Sequence, residues 1–281
     1  MISPYLFLFG SIPMNEVLAF PYALAAAAKK YGFLLRELIV RDFKVKYKRS
    51  VLGMLWSLLY PVLMMCVMAL VFRSVFRFSM PGVSYLSYLM TGLVFFNYFS
   101  EASNLAMSSV VANFALLGKV YMPKYIFPLS KCLFVGINFC LTLIPLYAVI
   151  LLTGTGLCWQ HLLLPYAYAC LLGFTLGMGL LLAAAAVFLR DLFYIYGIVL
   201  TIWTYLTPIM YDARMIGSRK LIALMGLNPL YQYISFARTI VLFHATPSAR
   251  QFLVCGLSAS LVLLAGAAFF RSRQDRFIYY V

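Results

Sequence analysis

Between Lys131 and Arg190 the chain runs for 58 residues without an Asp, Glu, Lys or Arg. A helix needs about 20 apolar residues to cross the roughly 30 Å of a bilayer's hydrocarbon core. The run is too long for one crossing and suits two joined by a turn. Thr153 to Gly156, "TGTG", supplies the turn, because glycine pairs punctuate helices. Spans are thus expected at about 132–152 and 163–187. The rest of the chain shares this solvent. Hydrophobic residues make up 65% and charged residues 10%, whereas soluble domains are about half apolar and about a quarter charged.

Other charge-free stretches give four more spans, at about 51–72, 84–100, 192–211 and 252–270, with Pro61 as an expected kink in the first. Six spans put both termini on one side, and positive charges choose that side. With the N-terminus inside, 15 of the 22 Lys and Arg residues face the cytoplasm. The expected topology is therefore N-in and C-in. The stretch 212–250 is long, and Asn228-Pro229 interrupts its uncharged run at 221–237. It reads as two short re-entrant helices that dip into the outer leaflet and return, packed on protein. A seventh span, which would put the C-terminus outside, is the competing arrangement.

Residues 1–28 hold no Lys or Arg, so a signal peptide's basic region is missing and no cleavage is expected. Met14 is an alternative start. Cys66, Cys132, Cys140, Cys158, Cys170 and Cys255 lie in or beside apolar segments and are expected as packing residues. Cys158 and His161 in "CWQH" are too few ligands for zinc, and no metal site is expected. A net charge of +15 raises the question of nucleic acid. The basic residues flank apolar runs instead of forming one stripe, which suits topogenic loops and anionic headgroups.

Three segments can carry function. The block "RDFKVKYKRS" places Arg41, Lys44, Lys46, Lys48 and Arg49 just before the charge-free stretch from Ser50 to Phe72. On a helical wheel Ile39, Phe43 and Tyr47 share one face, while Arg41, Lys44 and Lys48 lie on another. This is an amphipathic helix at the membrane interface. It reads as a positive-inside anchor, or as a cationic lip in which each basic residue gains about 1 kcal/mol near anionic lipid. Trp56, Tyr60, Phe95, Phe96, Tyr98 and Phe99 fall inside expected spans. They suit packing, or a wall on which sugar rings slide, since π-faces demand no single hydrogen-bond register. The stretch "NFALLGKVYMPKYI" is either a connector or a helix that enters a partner's groove.

Energy must come from elsewhere. The spans hold almost no ionisable groups, although proton- and sodium-coupled transporters keep them near the midplane. The only "GK", Gly118-Lys119, is followed by Val120, so the phosphate-cradling loop is missing. Active transport by this chain needs another polypeptide to hydrolyse ATP.

Together these segments resemble the membrane subunit of ABC-2 type polysaccharide exporters, the permeases for O-antigen, capsule and teichoic acid. The resemblance covers about 33–281. It is carried, in family order, by "RDFKVKYKRSVLGMLWSLLYP", "TGLVFFNYFS", "KVYMPKYIFPLS", "VFLRDL", "YLTPIMY", "NPLYQYI" and "RQDRFIYYV". It implies an all-α transmembrane domain over 33–281 behind an N-terminal cytoplasmic segment, 1–32. An interface helix is implied at 33–49, a coupling helix at about 113–125, and two re-entrant helices within 215–243. The partners implied are a second copy of the chain and two ABC ATP-binding subunits, which bind the ATP and Mg; no cofactor is implied in this chain. The implied substrate is an undecaprenyl-pyrophosphate-linked glycan, extruded across the cytoplasmic (inner) membrane through an aromatic-lined channel.

On this reading the chain is a permease and not an enzyme. Arg41, Lys44, Lys46, Lys48 and Arg49 face the lipid pyrophosphate or anionic lipid. Trp56, Tyr60, Phe95, Phe96, Tyr98 and Phe99 line or gate the path, and Lys119, Tyr121, Pro123 and Lys124 couple to the ATPase. One rival is an ABC-2 exporter of teichoic acid, another lipid or drugs; another is a passive channel. A third, a membrane glycosyltransferase or polymerase, needs clustered carboxylates or Arg and His in large loops. Asp212 is the only acid and His244 the only histidine in 212–250.

Overall fold

The computed structural model describes residues 20–48, 50–74, 84–117, 122–154, 156–212 and 218–280. Arg49, Lys119 and Tyr121 of the expected sites lie outside these residues, as does the alternative start at Met14. The described residues form helices and no strand. Helix α1, Phe20–Tyr47, begins well before the expected position 33. The stretch "ALAAAAKK" explains the difference, because Ala and Lys are strong helix formers whatever their polarity pattern. After α1 the chain turns sharply. Gly53 adopts φ 48°, which glycine reaches without a Cβ penalty, and its N–H donates to Ser50 Oγ at 3.0 Å.

Helix α2, Leu55–Ser74, contains Pro61. Helix α3, Tyr85–Ala112, runs past Glu101, whose exposed carboxylate gives the helix no reason to stop there. Helix α4, Ile126–Leu152, ends at the expected turn, where Gly154 and Gly156 have φ 73° and 78°. A 3₁₀ turn, Trp159–Leu163, leads into α5, Leu164–Phe188. Helix α6, Leu192–Leu206, stops short of the expected 211. Thr207 is extended, as a residue before proline prefers to be, and Pro208 follows it.

Two short helices follow, α7 Arg219–Gly226 and α8 Pro229–Val241. Asn228 joins them: its Oδ1 caps α8 through the Leu230 N–H and accepts from Trp203 Nε1 at 2.9 Å. Helix α9, Ala249–Arg273, starts with a capping box between Ser248 and Gln251. The 3₁₀ turn Gln274–Tyr279 ends the described chain.

By length and composition, three helices among the described residues can cross a membrane: Ile126–Leu152, Trp159–Phe188 and Ala249–Phe277. Helix α3 sits at the centre, against α4 and α5 and also touching α2, α6 and α8. Helices α5 and α9 form the most extensive pair. Their backbones touch, because a Cβ added at Gly177 would meet Val262 O and one at Gly266 would meet Gly177 O. Small residues permit this approach where no hydrophobic force between helices exists in lipid. Gly266→Val is therefore expected to force the pair apart and remove about 3 kcal/mol. The thermal unfolding midpoint of the purified protein measures the loss, and a midpoint equal to wild type would refute this packing.

Candidate functional site

The last turn of α1 meets α2, α3 and α4 around a cavity of about 790 Å³, a volume typical of small-molecule sites. Helical spacing places the lining side chains on common faces. Trp56 and Tyr60 are four apart on α2, Asn97, Glu101 and Asn104 share a face of α3, and Asn138 and Thr142 are four apart on α4. The α2 side is aromatic, while α3 and α4 contribute amides and a carboxylate together with the Tyr98 and Phe139 rings.

Lys46 and Tyr47 close the cavity from α1. Lys46 Nζ donates to Glu101 Oε1 at 2.7 Å and lies 5.5 Å from the centroid of the Phe134 ring. Both partners of this ion pair are partly exposed, at 35% and 42%. Tyr47 anchors the turn. Its hydroxyl contacts Ser57 Oγ and donates to Asn138 Oδ1 at 3.0 Å. Two polar atoms at the wall, Tyr98 Oη and Asn138 Nδ2, are buried without a hydrogen-bond partner among the described residues. Buried groups of this kind normally have a partner in protein, water or ligand.

The expected site residues divide. Lys46, Trp56, Tyr60 and Tyr98 meet at the cavity. Trp56 and Tyr60 are 44% and 56% exposed, which leaves their faces free for a guest. Arg41, Lys44 and Lys48 sit outside it, around an open concavity with Glu37 and Met54. Among the described residues Lys44 and Lys48 form no ion pair. Phe95, Phe96 and Phe99 are buried in the helix core instead. Phe95 meets the Phe139 ring edge-on at 5.3 Å, and Phe99 meets Trp203 at 5.1 Å. Pro123 and Lys124 lie just before α4. Lys124 donates to Gln274 O, which ties this segment to the C-terminal turn, and lies over the Phe277 ring. Burial lowers the Lys124 ammonium below its ordinary pKa, with Asp275 opposing.

Sequence reasoning missed the polar half of this region. Asp42 is 8% exposed and accepts from Lys131 at 2.7 Å and Arg41 at 3.2 Å. Arg41 also donates to Asn113 Oδ1 at 3.1 Å. Asn113 begins the expected coupling segment and Lys131 lies beyond its end, within α4, so neighbouring residues of α1 hold the chain on both sides of it. A signal existed: Asp42 is the lone acid in the basic block, and Asn138 is the lone asparagine in the 58-residue uncharged run.

Three helices of membrane-crossing length and composition mark an integral membrane protein, and a mixed aromatic and polar cavity beside its basic helix suits a transport role. The family model described as "ABC-2 type transporter" matches residues 34–242, and the chain belongs to that family. As a member it is a transport subunit and not an enzyme, with ATP hydrolysis on a separate subunit. It is 32% identical over 250 residues to the O-antigen export system permease protein RfbA of Myxococcus xanthus, covering 88% of this chain and 95% of that one. An RfbA of Klebsiella pneumoniae is 27% identical over the same shares. The polysialic acid transport protein KpsM of Escherichia coli is 21% identical, over 86% of this chain and 93% of its own.

Proposed function

We propose that this chain is the permease subunit of an ATP-driven exporter that moves undecaprenyl-pyrophosphate-linked polysaccharide across the cytoplasmic membrane. It works as a homodimer with two ABC ATP-binding subunits. The cavity carries this reading: it sets exposed Trp56 and Tyr60 opposite the amides of α3 and α4, beneath Lys46 on the interface helix. Aromatic faces and hydrogen-bonding rims suit sugar rings, and the adjacent cation suits a phosphate. The similarity to O-antigen export permeases over nearly the whole chain supports the same substrate class.

In this reading α2, α3, α4, α5, α6 and α9 are the six spans, and the basic residues keep both termini inside. Helices α7 and α8 are the re-entrant pair. Helix α6 leaves Tyr194, Ile195, Ile198, Ile202 and Tyr205 exposed along one face, a surface available to the second copy. Arg41, Lys44 and Lys48 collect the anionic carrier, and the segment from Asn113 to Lys124 receives the ATPase stroke. Deleting the gene and analysing lipids tests the function. Full-length lipid-linked polymer should build up inside the cell. Accumulation of short intermediates alone would mean polymerisation, not export.

A further inference from the structure

We propose that the cavity between α1, α2, α3 and α4 reads the sugar attached directly to the lipid pyrophosphate, with the Lys46–Glu101 ion pair as its exchangeable latch. This rests on the export reading above and names which part of the substrate the cavity takes. The latch is weak by construction, because both side chains are substantially exposed and such pairs contribute little net stability. The Asp42–Lys131 pair is buried by comparison and is not available for exchange. A pyrophosphate offers several anionic oxygens, so it displaces a single carboxylate from the Lys46 ammonium.

Displacement leaves Glu101 inside the cavity as an ionised acceptor. That identity constrains the guest. A site made only for pyrophosphate would be weakened by a carboxylate at its wall, and a site made only for an acyl chain would gain nothing from amides. A sugar fits both features. Its hydroxyls donate to Glu101, and Asn97 and Asn104 flank that residue on the same face of α3. Its apolar ring face lies on Trp56 or Tyr60. Tyr98 Oη and Asn138 Nδ2, otherwise without partners, gain them from the same guest. Because only the lipid-proximal sugar is read, polymers of any length present the same handle.

The test uses the full permease with its ATP-binding subunit in lipid nanodiscs and two probes. One is undecaprenyl pyrophosphate; the other is the same carrier bearing a single N-acetylhexosamine. Wild type should prefer the sugar-bearing probe. Glu101→Ala should cut that preference about tenfold, the effect of losing one hydrogen bond to a charged group, while the bare carrier binds as well or better. Lys46→Ala should weaken both probes alike. An unchanged preference in Glu101→Ala, with both probes still bound, overturns the sugar assignment and leaves the export reading standing. If neither probe binds wild type, both fall. Should the alanine variant fail to assemble with the ATP-binding subunit, Glu101→Leu, close in size but without an acceptor, decides: a preference equal to wild type overturns the assignment, and a reduced one supports it.

Discussion

Arg238→Ala should be among the most damaging single changes in this protein, removing about 3–5 kcal/mol of stability. Arg238 is 4% exposed and has no carboxylate within ion-pair distance among the described residues. Its charge is stabilised at contact distance by backbone dipoles, with the Asp212 carboxylate acting from farther away. Nη1 donates to Pro208 O at 2.7 Å, and Nη2 donates to Ile209 O at 2.9 Å and Tyr88 O at 3.1 Å. The guanidinium also lies 3.4 Å from the centroid of the Tyr88 ring. Hydrogen bonds from a charged donor contribute about 1.5–3 kcal/mol each, without adding simply. The carbonyls of Pro208 and Ile209 belong to the break after α6, where no helix supplies them with partners. Alanine would strip the Ile209 carbonyl of this donor and leave Pro208 O with only the Tyr88 hydroxyl at 3.3 Å. Lysine keeps the charge but lacks the planar fork, so Arg238→Lys should lose roughly half as much. Thermal unfolding in detergent ranks the three proteins, and an alanine variant as stable as wild type would sink this account.

Asp42→Ala is expected to be nearly as harmful, at about 3–5 kcal/mol, because it strands Lys131 as an uncompensated, mostly buried cation. The diagnostic comparison is the double variant. Asp42→Ala with Lys131→Met removes both charges and fills the space with an apolar chain, which is often near neutral for a buried pair. The double variant should therefore unfold at a higher temperature than Asp42→Ala alone. A double variant less stable than the single one would show that the pair is not the origin of the effect. Under the proposed coupling role of the 113–125 segment, export should track this ranking, since Arg41 and Asp42 hold the chain on either side of that segment.

How much of this could be read from the chain depended on the distance between cause and effect. Helices α2 to α6 and α9 follow from local absence of charge, and the Gly154–Gly156 turn and the Asn228–Pro229 break follow from local backbone chemistry. Lys46 was legible as part of a basic lip and Trp56 and Tyr60 as the aromatic start of a span, because these are local patterns; that the three meet at one cavity was not legible. Phe95, Phe96 and Phe99 share the spacing of Tyr98, yet periodicity could not show that α3 is covered on nearly every side. Glu101 and Asp42 meet cations 55 and 89 residues away, and no local pattern predicts such pairings. Arg238 lies in the 212–250 stretch, and charge counting is blind to carbonyls that solvate a guanidinium.

The cavity has one stiff side and one compliant side. Helices α3 and α4 are clamped into the core. Among its described side chains helix α2 buries only Pro61, Met65 and Ala69, one narrow edge, and shows Leu59, Leu63, Val67 and Leu70 to its surroundings. Elements with few buried contacts open at low free energy. The aromatic jaw can thus slide outward while the amide jaw keeps its register. Guests of different bulk are then accommodated by moving a single helix.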